Sequence, residues 1–158
     1  MKKFIFSLVV SSAVLMASDF SSAMKSLDSG NNKVAFLQFQ KLAKSGDVDA
    51  QTMLGEMYLD GIGVEQDNKK AHYWIEKAAL AGDKEAQYLL GFMYENGIDV
   101  KENLKTAVSW YEKAANNGDV MAMYNLAFIY KNGGQGIKKN EKKAISLLKS
   151  VEREKDGV

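Results

Sequence analysis

The sequence predicts an all-α protein, an α-solenoid of stacked helix-turn-helix repeats, and three observations predict it. The octet EKAALAGD, Glu76 to Asp83, returns 36 residues later as EKAANNGD, Glu112 to Asp119. The element Ala-x-x-Gly-Asp occurs at Ala43 to Asp47, Ala79 to Asp83 and Ala115 to Asp119, again at a spacing of 36. After each copy come two runs whose apolar residues recur at the helical period. A repeat of about 20 to 50 residues is the mark of stacked supersecondary units, because one helix pair cannot bury its apolar face alone.

The chain begins MKKFIFSLVVSSAVLMAS, two lysines ahead of an apolar run from Phe4 to Ala17. A membrane span needs about 20 apolar residues, so residues 1–18 read as a secretory signal peptide. Cleavage after Ala17 or Ser18 is favoured over cleavage after Ala23, because Phe20, Ala23, Met24 and Leu27 share a helical face leading to Gly30, a C-terminal cap. The expected location is the periplasm or outside the cell, with no membrane anchor after cleavage.

The rest, 19–158, reads as one repeat domain: an N-terminal helix and half repeat over 19–46, then repeats over about 47–82, 83–118 and 119–155. Each Gly-Asp opens a first helix: Ala50, Leu54, Gly55 and Tyr58 ending at Gly61; Ala86, Leu90, Gly91 and Tyr94 ending at Gly97; Ala122, Leu126, Ala127 and Tyr130 ending at Gly133. Asn96-Gly97 and Asn132-Gly133 resemble hairpin turns, but their flanks repeat at 3.6 and not at 2. Gly55 and Gly91 each sacrifice about 1 kcal/mol of helix propensity, which implies close backbone approach. Second helices follow, each with an N-cap residue four positions before an alanine: Asn31, Asp67, Asn103 and Asn140. The last unit carries one extra loop residue in GGQGIKKNEKKA, and its double alanine becomes Val151-Glu152, as suits a water-facing cap.

The order Ala-x-x-x-Leu-Gly-x-x-Tyr-x-x-Gly-x-Gly-Val, then Lys-Ala-x-x-Trp and Lys-Ala-Ala-x-x-Gly-Asp, resembles the Sel1-like repeat, a relative of the tetratricopeptide repeat. Ala50 to Asp83 follows the pattern almost throughout; Ala86 to Asp119 has Asp99 for the second loop glycine, and the last unit has Ala127 for glycine. The resemblance covers Phe20 to about Glu154. It implies a right-handed superhelix of helix pairs and a protein-interaction role.

Composition narrows the function. The 46% hydrophobic and 26% charged content is that of an ordinary folded domain. Removing residues 1–18 takes Lys+Arg from 21 to 19 against 20 Asp+Glu, a mature charge of −1, so the electrostatic footprint of nucleic-acid binding is missing. Charge is unevenly placed: Asp47 to Asp67 holds six acids and no Lys or Arg, whereas Lys138 to Lys155 holds seven bases and three acids. Solvated helix faces account for both stretches better than binding does. With no cysteine, stability rests on packing alone, and no Cys-His pair or zinc set is available. The single histidine, His72, reads as a packing or surface residue, and no cofactor or metal is expected.

Ser22-Ala23-Met24-Lys25 matches Ser-x-x-Lys, but Ser-Asp-Asn and Lys-Thr-Gly do not accompany it. Cysteine-rich secreted Sel1-like proteins are associated with penicillin binding and weak hydrolysis, which makes β-lactamase-like activity the alternative. The leading expectation is a non-enzymatic, monomeric adaptor for a protein or peptide partner. With Ala86 at 0°, the core positions Leu90, Gly91 and Tyr94 fall at about 40°, 140° and 80°, whereas Tyr88, Phe92 and Glu95 fall near the opposite side. Tyr124, Phe128 and Lys131 repeat this arrangement on the next first helix, and in tetratricopeptide-like stacks that face lines the concave groove. Tyr88, Phe92, Tyr124 and Phe128 thus form a candidate aromatic strip, flanked by Glu95 and Lys131, with Glu56 marking an acidic end. The alternative is that these aromatics pack between neighbouring first helices or under the N-terminal helix.

Overall fold

The computed structural model describes residues 19–156. The predicted signal peptide, residues 1–18, lies outside them. The described residues are helices joined by short loops: α1 (19–28), α2 (Asn32–Lys44), α3 (Val48–Asp60), α4 (Asn68–Leu80), α5 (Lys84–Asn96), α6 (Leu104–Asn116), α7 (Val120–Asn132) and α8 (Glu141–Asp156). Two compact units divide between Trp74 and Ile75, inside α4.

The helix boundaries follow from the repeated residues. Asp47, Asp83 and Asp119 have extended backbones, and their Oδ1 atoms accept from Ala50 N, Ala86 N and Ala122 N at 2.8, 2.7 and 2.7 Å. Each cap satisfies a donor that the first turn cannot, which stabilises its helix by about 1 kcal/mol. Gly61 and Gly97 close α3 and α5 in the left-handed conformation.

Three of the four predicted caps of second helices form. Asp67 Oδ1 accepts from Lys70 N, Asn103 Oδ1 from Thr106 N and Asn140 Oδ1 from Lys143 N, at 3.0, 3.1 and 2.9 Å. Asn31 makes no side-chain cap. Its N–H is committed to Ser26 O at 2.9 Å, and Gly30, at φ 74°, donates to Leu27 O. The wrap-up of α1 therefore sets the Asn31 backbone, and its ψ of 56° is not the extended geometry that a capping side chain needs.

A second difference concerns the end of α7. Gly133 has φ 70° but ψ −170°, so it leaves the helix in an extended direction instead of wrapping it. The extra loop residue makes room for a small antiparallel bridge in which Gly134 N donates to Ile137 O at 3.0 Å and Ile137 N to Gly134 O at 2.8 Å. Both flanking helices are intact, as the insertion's position predicts.

In the first unit α2 packs on α3. Ala23, Ala35, Phe39, Ala43, Ala50 and Leu54 are fully enclosed, and the Phe20 and Phe39 rings meet edge to face at 5.5 Å. One contact there is decisive for sequence. A Cβ on Gly63 would stand 2.2 Å from Asn32 O and 2.5 Å from Asn32 C, so only glycine lets this loop reach the start of α2.

In the second unit α5 packs on α6, α6 on α7 and α7 on α8. A core of Ala107, Val108, Tyr111, Ala114, Ala122, Leu126 and Ile129 binds α6 to α7. Gly91 provides the close approach between α5 and α6, since a Cβ there would lie 2.7 Å from the Tyr111 ring and 3.2 Å from Ala107 O. Met57, Met93 and Met123 are core residues and Met53 is half-buried, while Val151 is buried and Glu152 exposed.

Candidate partner-binding surface

The surface in the second unit is built on Tyr111, whose ring is fully enclosed. Its hydroxyl donates to Glu95 Oε2 at 2.6 Å, a charge-assisted bond that ties α6 to the C-terminal turn of α5. The Tyr88 ring lies 5.7 Å from that of Tyr111 at 34°, and the Asn125 amide hydrogen-bonds both phenols. Burial, reinforced by the neighbouring Glu95 carboxylate, pushes the Tyr111 hydroxyl far above the ordinary phenol range. Burial raises Tyr88 as well, with Asp119 adding to it. Both phenols are held neutral, as hydrogen-bonding groups and not as acids.

Tyr88 and Phe92 are half-buried and pack against the α6–α7 core. The helical wheel puts them away from Leu90 and Tyr94, but that side meets the core shared by α6 and α7, with Tyr88 on the Tyr111 ring, so their expected free projection does not hold. Tyr124 and Phe128 differ: they are 38% and 69% exposed, with Met121 at 54% on the same helix and Lys131 exposed beyond them. Glu95 is half-buried and occupied by Tyr111. Glu56 is half-buried on α3, in the first unit.

Sequence reasoning passed over Asn125 and a polar joint between repeats. Asn125 is the one amide in the run VMAMYNLAFIY, which is the signal that could have found it. Gln51 and Gln87, buried immediately after the repeat alanine, donate to Ala43 O and Ala79 O, both at 3.2 Å. Gln87 Oε1 also accepts from Asn117 Nδ2 at 3.0 Å. These amides give a second donor to helix-end carbonyls that Gly46 N and Gly82 N also reach, at 3.2 and 3.1 Å.

A half-exposed cluster joins α6, α7 and α8. Lys143 Nζ lies 2.7 Å from both Glu112 Oε1 and the Tyr130 hydroxyl, 4.2 Å from the Tyr130 ring centre, and Tyr130 donates to Glu112 at 2.9 Å. Burial alone would raise Glu112, but the bonds from Lys143 and Tyr130 outweigh it and hold the carboxyl below its ordinary range. Burial would likewise lower Lys143, and the same bonds reverse that, raising it.

Ser22 and Lys25 of the Ser-x-x-Lys match are both exposed on α1. Ser22 Oγ accepts from Gln38 Nε2 at 3.2 Å and lines a cavity of about 110 Å³ with Asp19, Gln38, Lys41 and Leu42. His72 is half-buried on α4. Among the described residues, no group of three or more His, Cys, Asp or Glu could hold a metal ion, and no helix is long and apolar enough to cross a membrane.

Capped helix pairs joined at a 36-residue period, with aromatics displayed on one first helix, define a helical-repeat protein of the α-solenoid class. The chain belongs to the Sel1 repeat family, whose repeat matches residues 48–83, 84–119 and 120–150. It is similar to the crystal structure of c5321, a protective antigen present in uropathogenic Escherichia coli strains, with a TM-score of 0.74 and 33% identity over 78% of this chain and 26% of that one. A Sel1 repeat protein from Oxalobacter formigenes matches with a TM-score of 0.72 and 33% identity over 76% of this chain and 48% of that one. This chain thus spans about a quarter and about half of those two proteins. Helicobacter pylori cysteine rich protein B is similar over 85% of this chain and 90% of its own, at 25% identity and a TM-score of 0.57. This chain has no cysteine, so the likeness lies in helix packing. No curated protein matches. Sel1 repeat proteins are generally scaffolds for protein–protein interaction and typically not enzymes.

Proposed function

We propose that the chain is an exported, non-enzymatic adaptor that captures a protein or peptide partner on the face formed by α5 and α7. The observation that carries this reading is the exposure of Tyr124 and Phe128 on a helix capped by Asp119 and locked into the core through Ala122, Leu126 and Ile129. Large aromatics held rigidly at a surface cost little entropy to bury and serve well as anchors. Tyr88 and Phe92, half-buried on α5, would extend the apolar floor, and exposed Lys131 would supply a charge at its edge.

Export rests on residues 1–18, and the mature protein is proposed to act as a monomer in the periplasm or outside the cell, without nucleic acid or cofactor. The test is partner capture from an envelope fraction by mature protein, compared with Tyr124→Ala/Phe128→Ala. The double variant should lose the captured partner while its helical circular dichroism is unchanged. Undiminished capture would overturn the reading.

A further inference from the structure

Position 121 differs from its equivalents in the earlier repeats in chemistry and not in exposure. Counting back 36 residues from Met121 gives Glu85, and the same step again gives Asp49. Each is the second residue of a first helix and each is exposed, although further helix pairs follow both α3 and α5. The repeat therefore leaves this position open to water, and its helices form with a charged group there. The last repeat fills it with a thioether.

Burial separates Met121 from the other methionines. It is 54% exposed, whereas Met57, Met93 and Met123 are 1%, 0% and 5% exposed and Met24 and Met53 are half-buried. A peroxide oxidises a thioether that it can reach, so exposure selects one methionine among the described residues. At 100° per residue Met121 lies within about 60° of Tyr124 and Phe128, and its side chain extends the apolar face that carries them.

We propose that Met121 is a redox-modification site, at which a peroxide converts the thioether to a sulfoxide and makes the α7 face polar. A sulfur lone pair attacks one peroxide oxygen; the S–O bond forms as the O–O bond breaks, sulfur gives up two electrons, and hydrogen peroxide is reduced to water. The reverse step uses two thiols, which become a disulfide while the oxygen leaves as water. The sulfoxide is polar where a partner's apolar groups would pack, so oxidation releases the partner. The helix stays folded, because the equivalent helices carry Asp49 and Glu85 there. The effect on capture rests on the adaptor reading of Tyr124 and Phe128; the modification itself does not.

Protein purified after expression of the full chain, treated with hydrogen peroxide and peptide-mapped by mass spectrometry, tests the site. Within residues 19–158, oxygen should enter first at Met121, at least about threefold faster than at Met24 or Met53 and about tenfold faster than at Met57, Met93 or Met123. When Met121 is fully oxidised, retention on a hydrophobic-interaction column should have fallen for the parent and not for Met121→Leu, with helical circular dichroism unchanged in both. Methionine sulfoxide reductases A and B with dithiothreitol should restore mass and retention. Another methionine of residues 19–158 reacting first, retention indifferent to oxidation at Met121, or loss of helix with it would overturn the proposal. Oxidised parent should also lose the partner captured from an envelope fraction, while Met121→Leu given the same treatment keeps it; capture undiminished by oxidation would overturn the proposal too. Absence of capture before treatment would count against the adaptor reading alone, and mapping and retention would still decide the site.

Discussion

Replacing Gly91 with alanine sets two effects of opposite sign against each other. In an isolated helix the change gains about 1 kcal/mol of propensity. In this structure the new Cβ would meet the Tyr111 ring at 2.7 Å and Ala107 O at 3.2 Å. Neither neighbour yields easily: one is backbone, and the other is an enclosed ring held by Glu95 at 2.6 Å and flanked by Tyr88. Overpacking of this kind costs about 1–3 kcal/mol, and displacing the ring also weakens a hydrogen bond to a charged group, worth about 1.5–3 kcal/mol. The net expectation is destabilisation by roughly 2 kcal/mol, or about 4–8 °C in Tm for a chain of this size. Urea and thermal melts by circular dichroism measure it. Gly91→Ala/Tyr111→Leu should recover part of the loss, because the last repeat carries Ala127 and Leu148 at the equivalent positions. If Gly91→Ala is as stable as the parent or more so, propensity wins and the close-approach argument is wrong.

Further expectations concern the joints, the charges and the serine. Gly63→Ala should lose roughly 3 kcal/mol by urea melt, since its Cβ would fall on the Asn32 backbone and its φ of 72° disfavours a side chain. Gln87→Leu should cost about 1 kcal/mol, because its hydrogen bonds to Ala79 O and from Asn117 Nδ2 are lost while Ala79 O keeps Gly82 N. Glu112 has a depressed pKa, so its stabilising contribution is present above the ordinary carboxylate range and is lost as pH falls through the depressed value; Lys143, raised, keeps its contribution until pH climbs past the ordinary lysine range. Melts across pH should lose these acid and alkaline limbs in Glu112→Gln. Ser22→Ala should leave partner capture unchanged, and purified mature protein should not turn over a chromogenic β-lactam.

The repeat architecture was legible because its signals are local. Asp before a helix, glycine after it and alanine at the joint each act through the few residues beside them, so the 36-residue spacing was enough to place α3 to α7. Asn31 fails as a cap because the local wrap that ends α1, Gly30 N to Leu27 O and Asn31 N to Ser26 O, holds its backbone at ψ 56°, outside the extended geometry that a capping side chain needs. Gly133 departs because one inserted residue redirects the loop. The aromatic strip was legible only in part. A helical wheel separates one arc of a helix from another, but it does not show how far neighbouring helices reach round it; the α6–α7 core took Tyr88 and Phe92, and Tyr124 and Phe128 stay exposed. The Glu95–Tyr111–Asn125 contacts cross three helices, and no sequence period reports them.

The most direct test of the adaptor reading is site-specific photocrosslinking in cells, with benzoylphenylalanine replacing Phe128 and, as a control, the equally exposed Leu80. The account predicts a discrete adduct with one protein from position 128 and none from position 80. No adduct at 128, or the same adducts from both positions, would contradict it.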